Sequence, residues 1–331
     1  MEHLGLWLKF ATASAIVIGA GLSLTKNAER LAVAMGWGHA FAGFVVLGWA
    51  TSLPEVTISV SAVTSLDSPA LAAGNITGSV IFNLAILALL DLLADPMAGR
   101  DRSGAQGLAP LAIFNLVLMT GLLALLLSSG LREALSPLTA GCFLLGGYLA
   151  ATVHAWWSQR GESESGEAVE RGEAGAAAWR CLVAGGVILG AGIWLSHLGD
   201  AVAEAYQLDE GLIGTLFLGG VSSLPELVTG LAAVRLGLIS LAVGSILGSN
   251  VFNLGILGVC ELLYVNAGAD RPPLIVAASD PRMAANLGAS LALTVLALWL
   301  VRARSSGAKR SFLATLSSVM LLIYVSVLAF S

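Results

Sequence analysis

Two stretches decide the fold: GFVVLGWATSLPE at residues 43–55 and GTLFLGGVSSLPE at residues 214–226. They align without a gap at an offset of 171 residues, and so do IVIGAGLSLT (16–25) and VILGAGIWLS (187–196). At an offset of 170, GNITGSVIFNLAIL (74–87) aligns with GSILGSNVFNLGIL (244–257). Because order and spacing are both kept, the chain is predicted to consist of two copies of one unit.

The composition around these repeats is typical of an integral membrane protein. Of 331 residues, 57% are hydrophobic and only 11% are charged, with a mean hydropathy of +0.87, whereas soluble domains carry roughly 25% charged residues. The net charge of −5 and the lack of a long basic run argue against nucleic-acid binding. The three cysteines stand singly, which excludes a zinc site and a disulfide scaffold.

Apolar stretches of about 20 residues, the length that crosses a bilayer, predict an all-α polytopic fold with ten transmembrane helices. They cover 5–25, 38–65, 70–94, 108–129 and 135–158, and then 180–199, 211–234, 238–264, 283–302 and 311–330. The glutamate-rich stretch between the halves lacks apolar periodicity and is predicted to be a flexible linker. We therefore predict a first five-helix repeat at 1–158, an acidic linker at 159–178 and a second five-helix repeat at 179–331.

The odd number of spans in each half makes the second repeat enter the membrane from the opposite side. Inverted repeats of this kind are typical of secondary transporters, whose binding sites lie at the repeat interface near the bilayer midplane. In the ten-span arrangement, twelve Lys and Arg residues fall on one side and four on the other. The positive-inside rule then predicts a multi-pass protein of the cell membrane with both termini outside and the linker in the cytoplasm.

Two acidic residues fall near the middle of apolar spans, Glu55 in the second and Glu226 in the seventh. A carboxylate at that depth costs several kcal/mol unless it is paired or faces a polar cavity. Neither span offers a Lys or Arg at matching depth, so a transported cation is the simplest counter-charge. Pro54 and Pro225 precede the glutamates and free backbone carbonyls about one turn earlier, which is tolerated where they line a cavity.

Further oxygen donors surround each glutamate in both repeats. They are the hydroxyls of Thr51, Ser52, Ser222 and Ser223, the carbonyls around Gly48–Thr51 and Gly219–Ser222, and the same-face pairs Ser79/Asn83 and Ser249/Asn253. Hard oxygen ligands without imidazole or thiolate favour Ca²⁺ or Na⁺ over transition metals. Proline kinks, hydroxyls bonded to their own helix, amides that join helices and a protonated glutamate are the structural alternatives. Because each alternative would have to occur twice, the cation site is the preferred hypothesis.

The paired TSLPE/SSLPE and GS-x-x-FN segments resemble the alpha-repeats of the calcium/cation antiporter superfamily, specifically the microbial type of the sodium/calcium exchanger family. The repeats then span 43–87 and 214–257. The resemblance implies ten helices, a diamond-like cluster of ion sites and alternating access by sliding of the first and sixth helices. The implied ion ligands are Gly48, Thr51, Ser52, Glu55, Ser79 and Asn83 in the first repeat, and Gly219, Ser222, Ser223, Glu226, Ser249 and Asn253 in the second.

The sequence thus predicts a secondary active antiporter that exchanges Ca²⁺ for Na⁺, not an enzyme. No cofactor and no obligate protein partner are predicted; the two transported ions and the lipid bilayer are the expected partners. A Ca²⁺/H⁺ exchanger or a K⁺-dependent Na⁺/Ca²⁺ exchanger is the alternative, and a passive cation channel is a more remote one. The amide of Asn253 cannot carry a proton, which disfavours proton coupling. Asp91 and Glu261, which match at the 170 offset, are either ends of the ion route or helix-end acids in water.

Overall fold

The computed structural model describes residues 2–34, 47–94, 108–134, 136–158, 171–235, 237, 239–268, 271–278 and 281–330. Within these ranges all regular secondary structure is helical. The first half contains α1 (Glu2–Ala34), α2 (Gly48–Thr51), α3 (Leu53–Ser65), α4 (Pro69–Leu93), α5 (Ala109–Leu127), α6 (Ser129–Ala134) and α7 (Pro137–Ser158).

The second half repeats this order. It contains α8 (Arg171–Tyr206), α9 (Glu210–Leu212), a π-helical turn (Ile213–Leu218), α10 (Gly219–Ser222), α11 (Leu224–Arg235), α12 (Ile239–Asn266), α13 (Leu274–Ala277), α14 (Pro281–Ser305) and α15 (Arg310–Phe330). The all-helical fold with two inverted repeats is therefore confirmed.

Nine helical segments in the described ranges are long and apolar enough to cross a bilayer. They correspond to nine of the ten predicted spans. The other predicted span, 38–65, lies partly outside the described residues, because 38–46 are not among them. Its described part consists of α2 and α3, which are separated at Ser52.

The C-terminal part of the predicted linker is helical. Residues 159–170 lie outside the described residues, whereas 171–178 form the first turns of α8. Alanine is the best helix former, and this stretch, RGEAGAAA, is half alanine. Helix propensity therefore carries α8 well beyond the apolar core of the span, and the predicted boundary at residue 179 falls inside a helix.

The two broken helices are the local feature that positions the polar residues. Helix α2 ends at Ser52 (φ −88°, ψ 9°), and α10 ends at Ser223 with nearly the same backbone angles (φ −91°, ψ 6°). A new helix starts at the next residue in both repeats, with Pro54 or Pro225 in its first turn. Proline is favoured there because its missing N–H would have had no helical partner.

Helices α4 and α12 form the buried centre of the molecule and pack against each other. Glycines allow the broken helices to approach them closely. A Cβ on Gly48 would lie 3.2 Å from the Ser249 nitrogen, and one on Gly219 would lie 2.9 Å from the Ser79 nitrogen. Backbone thus meets backbone at both crossings, which places main-chain carbonyls beside the facing hydroxyls.

The acids Asp91 and Glu261 are neither water-exposed nor free to line an ion route. Asp91 is 6% exposed and accepts hydrogen bonds from Arg304 Nε (3.0 Å) and Ser317 Oγ (2.8 Å), while Arg310 donates to its backbone oxygen (2.7 Å). Both carboxylate oxygens of Glu261 lie 2.9 Å from the backbone nitrogen of Leu274. Both interpretations made from the sequence are corrected: Asp91 ties the end of α4 to α14 and α15, and Glu261 caps α13.

Gly78→Ala is expected to destabilise the protein, because the added Cβ would clash with the backbone of Thr215 at the crossing of α4 and the π-helical turn. Overpacking of this kind costs about 1–3 kcal/mol, so the unfolding temperature of the detergent-solubilised protein should fall by several degrees. Gly146→Ala is the matched control, since nothing lies within 4 Å of its Cβ position. Equal unfolding temperatures for the two variants would contradict the close crossing.

Candidate cation site

Glu55 and Glu226 lie in the first turns of α3 and α11, and neither is exposed to solvent (0% each). Each carboxylate accepts a hydrogen bond from the serine at the helix break of the other repeat. Ser223 Oγ donates to Glu55 Oε1 at 3.1 Å, and Ser52 Oγ donates to Glu226 Oε1 at 3.4 Å. These crossed contacts bring the two acids together at the repeat interface.

The carboxylates lack a fixed counter-charge. In the described part of the chain, neither forms an ion pair with a basic side chain, and Oε2 of each has no hydrogen-bond partner. Leaving such an atom buried and unpaired costs free energy. Two carboxylates that face one interface in the apolar slab are therefore compensated best by a cation that enters between them.

A second set of contacts joins the broken helices to α4 and α12. Thr51 Oγ1 lies 3.1 Å from Ser249 Oγ, and the equivalent pair, Ser79 Oγ and Ser222 Oγ, is 3.3 Å apart. Ser249 Oγ also donates to the carbonyl of Gly48, and Ser79 Oγ to that of Gly219, both at 3.4 Å. The contacts obey the pseudo-two-fold relation between the repeats.

Eleven of the twelve predicted site residues thus make a hydrogen bond to the opposite repeat. Asn83, which donates to Asn250 at 3.0 Å, and Asn253, the twelfth residue, lie one turn further along α4 and α12 from Ser79 and Ser249. Both are fully buried. The Oδ1 of Asn83 and both amide atoms of Asn253 have no partner among the described residues, which leaves buried polar atoms available to a ligand.

The donor set suits a hard cation. It consists of carboxylate, hydroxyl, amide and backbone oxygens, the ligand types that Ca²⁺ and Na⁺ sites use. Within the described ranges, no three His, Cys, Asp or Glu side chains group together in a way that could hold a metal ion. The cluster can therefore bind alkali or alkaline-earth cations, whereas a transition-metal centre would need imidazole or thiolate ligands.

Two amides near the cluster were not predicted. Asn75 Nδ2 donates to Ser59 Oγ at 2.8 Å, and Asn75 Oδ1 accepts from Ser222 at 3.5 Å. Asn250 contacts Asn83 and the backbone of α4. Their equivalents in the other repeat are Ser245 and Val80, so the duplication that pointed to the other residues gave no signal for them. Their placement in the middle of apolar spans is the signal that could have found them.

Trp49, a bulky residue three positions before Ser52, packs away from the cluster. Its indole stacks on Phe252 (ring centroids 5.7 Å apart) and donates from Nε1 to Tyr148 Oη at 2.6 Å. The equivalent position in the second repeat is Gly220, beside which a Cβ would meet nothing within 4 Å. The tryptophan therefore packs α2 against α7 and α12 and leaves the site itself unobstructed.

A duplicated, inverted helical bundle with a buried acid pair at the repeat interface defines a secondary cation transporter. The family model described as sodium/calcium exchanger protein matches residues 5–157 and 176–331. The chain therefore belongs to the sodium/calcium exchanger family, within the calcium/cation antiporters. Because the family consists of exchangers, the chain is a multi-pass membrane transporter and not a catalytic enzyme.

Two curated proteins are similar over most of the chain. CaxA of Alkalimonas amylolytica, a candidate antiporter by its name, is 27% identical over 275 residues, which cover 79% of this chain and 80% of that protein. The uncharacterized membrane protein MJ0091 of Methanocaldococcus jannaschii is 24% identical over 253 residues, 76% of this chain and 79% of its own length.

Solved structures share the fold. The sodium-calcium exchanger NCX_Mj soaked with Na⁺ and Sr²⁺ superposes with a TM-score of 0.65 at 19% identity and covers 98% of this chain and 97% of its own. The H⁺/Ca²⁺ exchanger CAX superposes with a TM-score of 0.66 at 16% identity, over 98% and 87% of the two chains. At such low identity, both matches concern the architecture.

If the acid pair is part of a cation site, Ca²⁺ should raise the unfolding temperature of the purified protein, because a ligand that binds only the folded state stabilises it. Glu226→Gln should abolish this rise, since it removes one of the two buried negative charges. Glu204→Gln is the control, because Glu204 is an exposed acid at the end of α8. A Ca²⁺-dependent rise that persists in Glu226→Gln would place the ion elsewhere.

Proposed function

We propose that this protein exchanges Ca²⁺ for Na⁺ across the cell membrane by alternating access. The observation that carries the proposal is the buried, uncompensated pair Glu55 and Glu226, linked crosswise by Ser223 and Ser52. The proposed ion ligands are the twelve residues expected from the sequence, and the proposed division of the chain is two repeats, 1–158 and 179–331, around the interface that holds them.

The charge of the pair explains why transport is coupled. Two ionised carboxylates in an apolar environment oppose any conformation that hides them from both solutions. One Ca²⁺, or Na⁺ ions with the same total charge, neutralises them and makes the occluded form accessible. Because the empty site cannot cross, each ion is carried only in return for another, which is antiport and not a leak.

The same oxygens serve both cations. Eleven of the proposed ligands make hydrogen bonds of 3.0–3.4 Å to the opposite repeat. Among the described residues no second set of carboxylates joins them, so Ca²⁺ and Na⁺ would compete for one pair of charges. Binding of one ion then requires release of the other, and the gradient of Na⁺ drives Ca²⁺.

A Ca²⁺/H⁺ exchanger is the second candidate, because the structural likeness to CAX equals that to NCX_Mj. Protons would then neutralise Glu55 and Glu226 in place of Na⁺. The amides at Asn83 and Asn253 support Na⁺ instead, since they supply oxygen ligands but cannot take up a proton. K⁺ dependence is a third form of coupling, in which Na⁺-driven Ca²⁺ uptake would require added K⁺.

Uptake of radiolabelled Ca²⁺ into proteoliposomes tests the coupling. An outward Na⁺ gradient should drive accumulation, and a pH gradient in Na⁺-free, K⁺-free buffer should not. Glu55→Gln should reduce Na⁺-driven uptake to the level of empty liposomes, with Glu204→Gln as the control. Uptake driven by the pH gradient would replace the proposal by proton exchange, and tracer equilibration without any counter-ion gradient would indicate a channel.

The proposal includes a topology with both termini outside and the linker in the cytoplasm, supported by the twelve-to-four distribution of Lys and Arg. In a variant without native cysteines, Ser163→Cys in the linker should react with a membrane-impermeant maleimide only after the cells are opened. Glu204→Cys, an exposed position at the end of α8, should react in intact cells. The reverse labelling pattern would show that the termini are cytoplasmic and the linker is outside.

A further inference from the structure

Asn250 is a fully buried amide that spans the interface between the two central helices. Its Nδ2 donates to the backbone oxygen of Val80 at 3.3 Å, and its Oδ1 accepts from Asn83 Nδ2 at 3.0 Å. Both partners lie on α4, whereas Asn250 lies on α12. The three groups form a short chain of hydrogen bonds with one fixed end, the backbone carbonyl.

The donors and acceptors in this series of hydrogen bonds are fixed by the backbone carbonyl at its end. A backbone carbonyl can only accept a hydrogen bond, so Asn250 must turn its NH₂ group toward Val80. Its oxygen then faces Asn83, which must answer with its own NH₂ group. The Oδ1 of Asn83 is left over, and it is the atom that is buried without a partner in the described structure.

The amide of the second repeat, Asn253, has no equivalent of Asn250 to hold it. The residue equivalent to Asn250 in the first repeat is Val80, whose side chain cannot donate or accept a hydrogen bond. Accordingly, both Oδ1 and Nδ2 of Asn253 are without a partner among the described residues. The amide of Asn83 in the first repeat thus has a fixed orientation, whereas no described neighbour fixes the orientation of the Asn253 amide in the second repeat.

We propose that Asn250 is a positioning residue that holds the amide of Asn83 with its oxygen, and not its nitrogen, available to the transported cation. The proposal rests on the proposed function, because it assumes that Asn83 is an ion ligand. Asn83 is then ready for a cation before the ion arrives, while Asn253 must be turned by the ion. Fixing a ligand in advance lowers the cost of binding, so Asn250 contributes to Ca²⁺ affinity without touching the ion.

Asn250→Val tests this, because valine at this position reproduces what the first repeat carries. The KM for Ca²⁺ in Na⁺-driven uptake should rise about fivefold, the effect of one lost hydrogen bond, while the maximal rate stays within about twofold of wild type. Asn115→Val is the matched control, a fully buried asparagine on α5 outside the cluster, and should leave KM unchanged. An unchanged KM in Asn250→Val would overturn the proposal.

A swap separates positioning from packing. In the double variant Asn250→Val with Val80→Asn, the new amide at residue 80 should orient Asn253 instead of Asn83. The KM should return toward the wild-type value, and Asn253→Ala should then raise KM more than Asn83→Ala does, the opposite of their order in the wild-type background. A merely structural role of Asn250 predicts no rescue and no change of order, which would refute positioning.

If Asn250→Val does not fold, Val80→Asn alone is measured, and its KM should fall below that of wild type because both amides are then oriented. An unchanged or raised KM would overturn the proposal. Failure of the proposed function is recognised separately: in that case Glu55→Gln still transports or wild type shows no Na⁺-driven uptake. If Glu55→Gln is inactive and Asn250→Val keeps the wild-type KM, only the positioning role is lost.

Discussion

The structure depends on two carboxylates that are buried in an apolar slab and have no basic group beside them among the described residues. Everything around Glu55 and Glu226 follows from that constraint: helix breaks that place serine hydroxyls next to the acids, glycines that bring backbone carbonyls close, and amides one turn away. A cation bound there, as proposed, would offset the free energy that this arrangement costs. Stability and ion binding would then be coupled in this molecule.

The two-fold relation between the repeats explains how the site is built, and a few positions depart from it. The crossed hydrogen bonds between serines and glutamates occur in equivalent pairs, so one local sequence, inserted twice in opposite directions, is enough to assemble the cluster. The exceptions are Asn75 and Asn250, whose equivalents are Ser245 and Val80. At these positions the two halves have become chemically different while the backbone framework stayed the same.

The features of the fold that could be predicted are those that short stretches of sequence determine. Spans, the duplication and the mid-membrane acids follow from hydrophobic length and from repetition, and the proline after each break marks the start of α3 and α11. Distant contacts that the duplication does not repeat were not predictable: Asp91 contacts Arg304, 213 positions away, and Asn250 contacts Asn83, 167 positions away. Helix α8 begins at Arg171, before the apolar span at 180–199, because the helix propensity of alanine extends a helix beyond the stretch that hydropathy marks.

Asp91 and Glu261 occupy equivalent positions in the two repeats but have different partners. Helix α4 is fastened at its C-terminal end to two other helices by Arg304 and Arg310, whereas the corresponding acid of α12, Glu261, holds only a short helix in the connection that follows it. An inverted duplication with identical halves would open with equal ease to either side. In a carrier that works by alternating access, as proposed here, unequal anchoring would favour one of the two open states. A site with pairwise symmetry is therefore compatible with a preferred resting side.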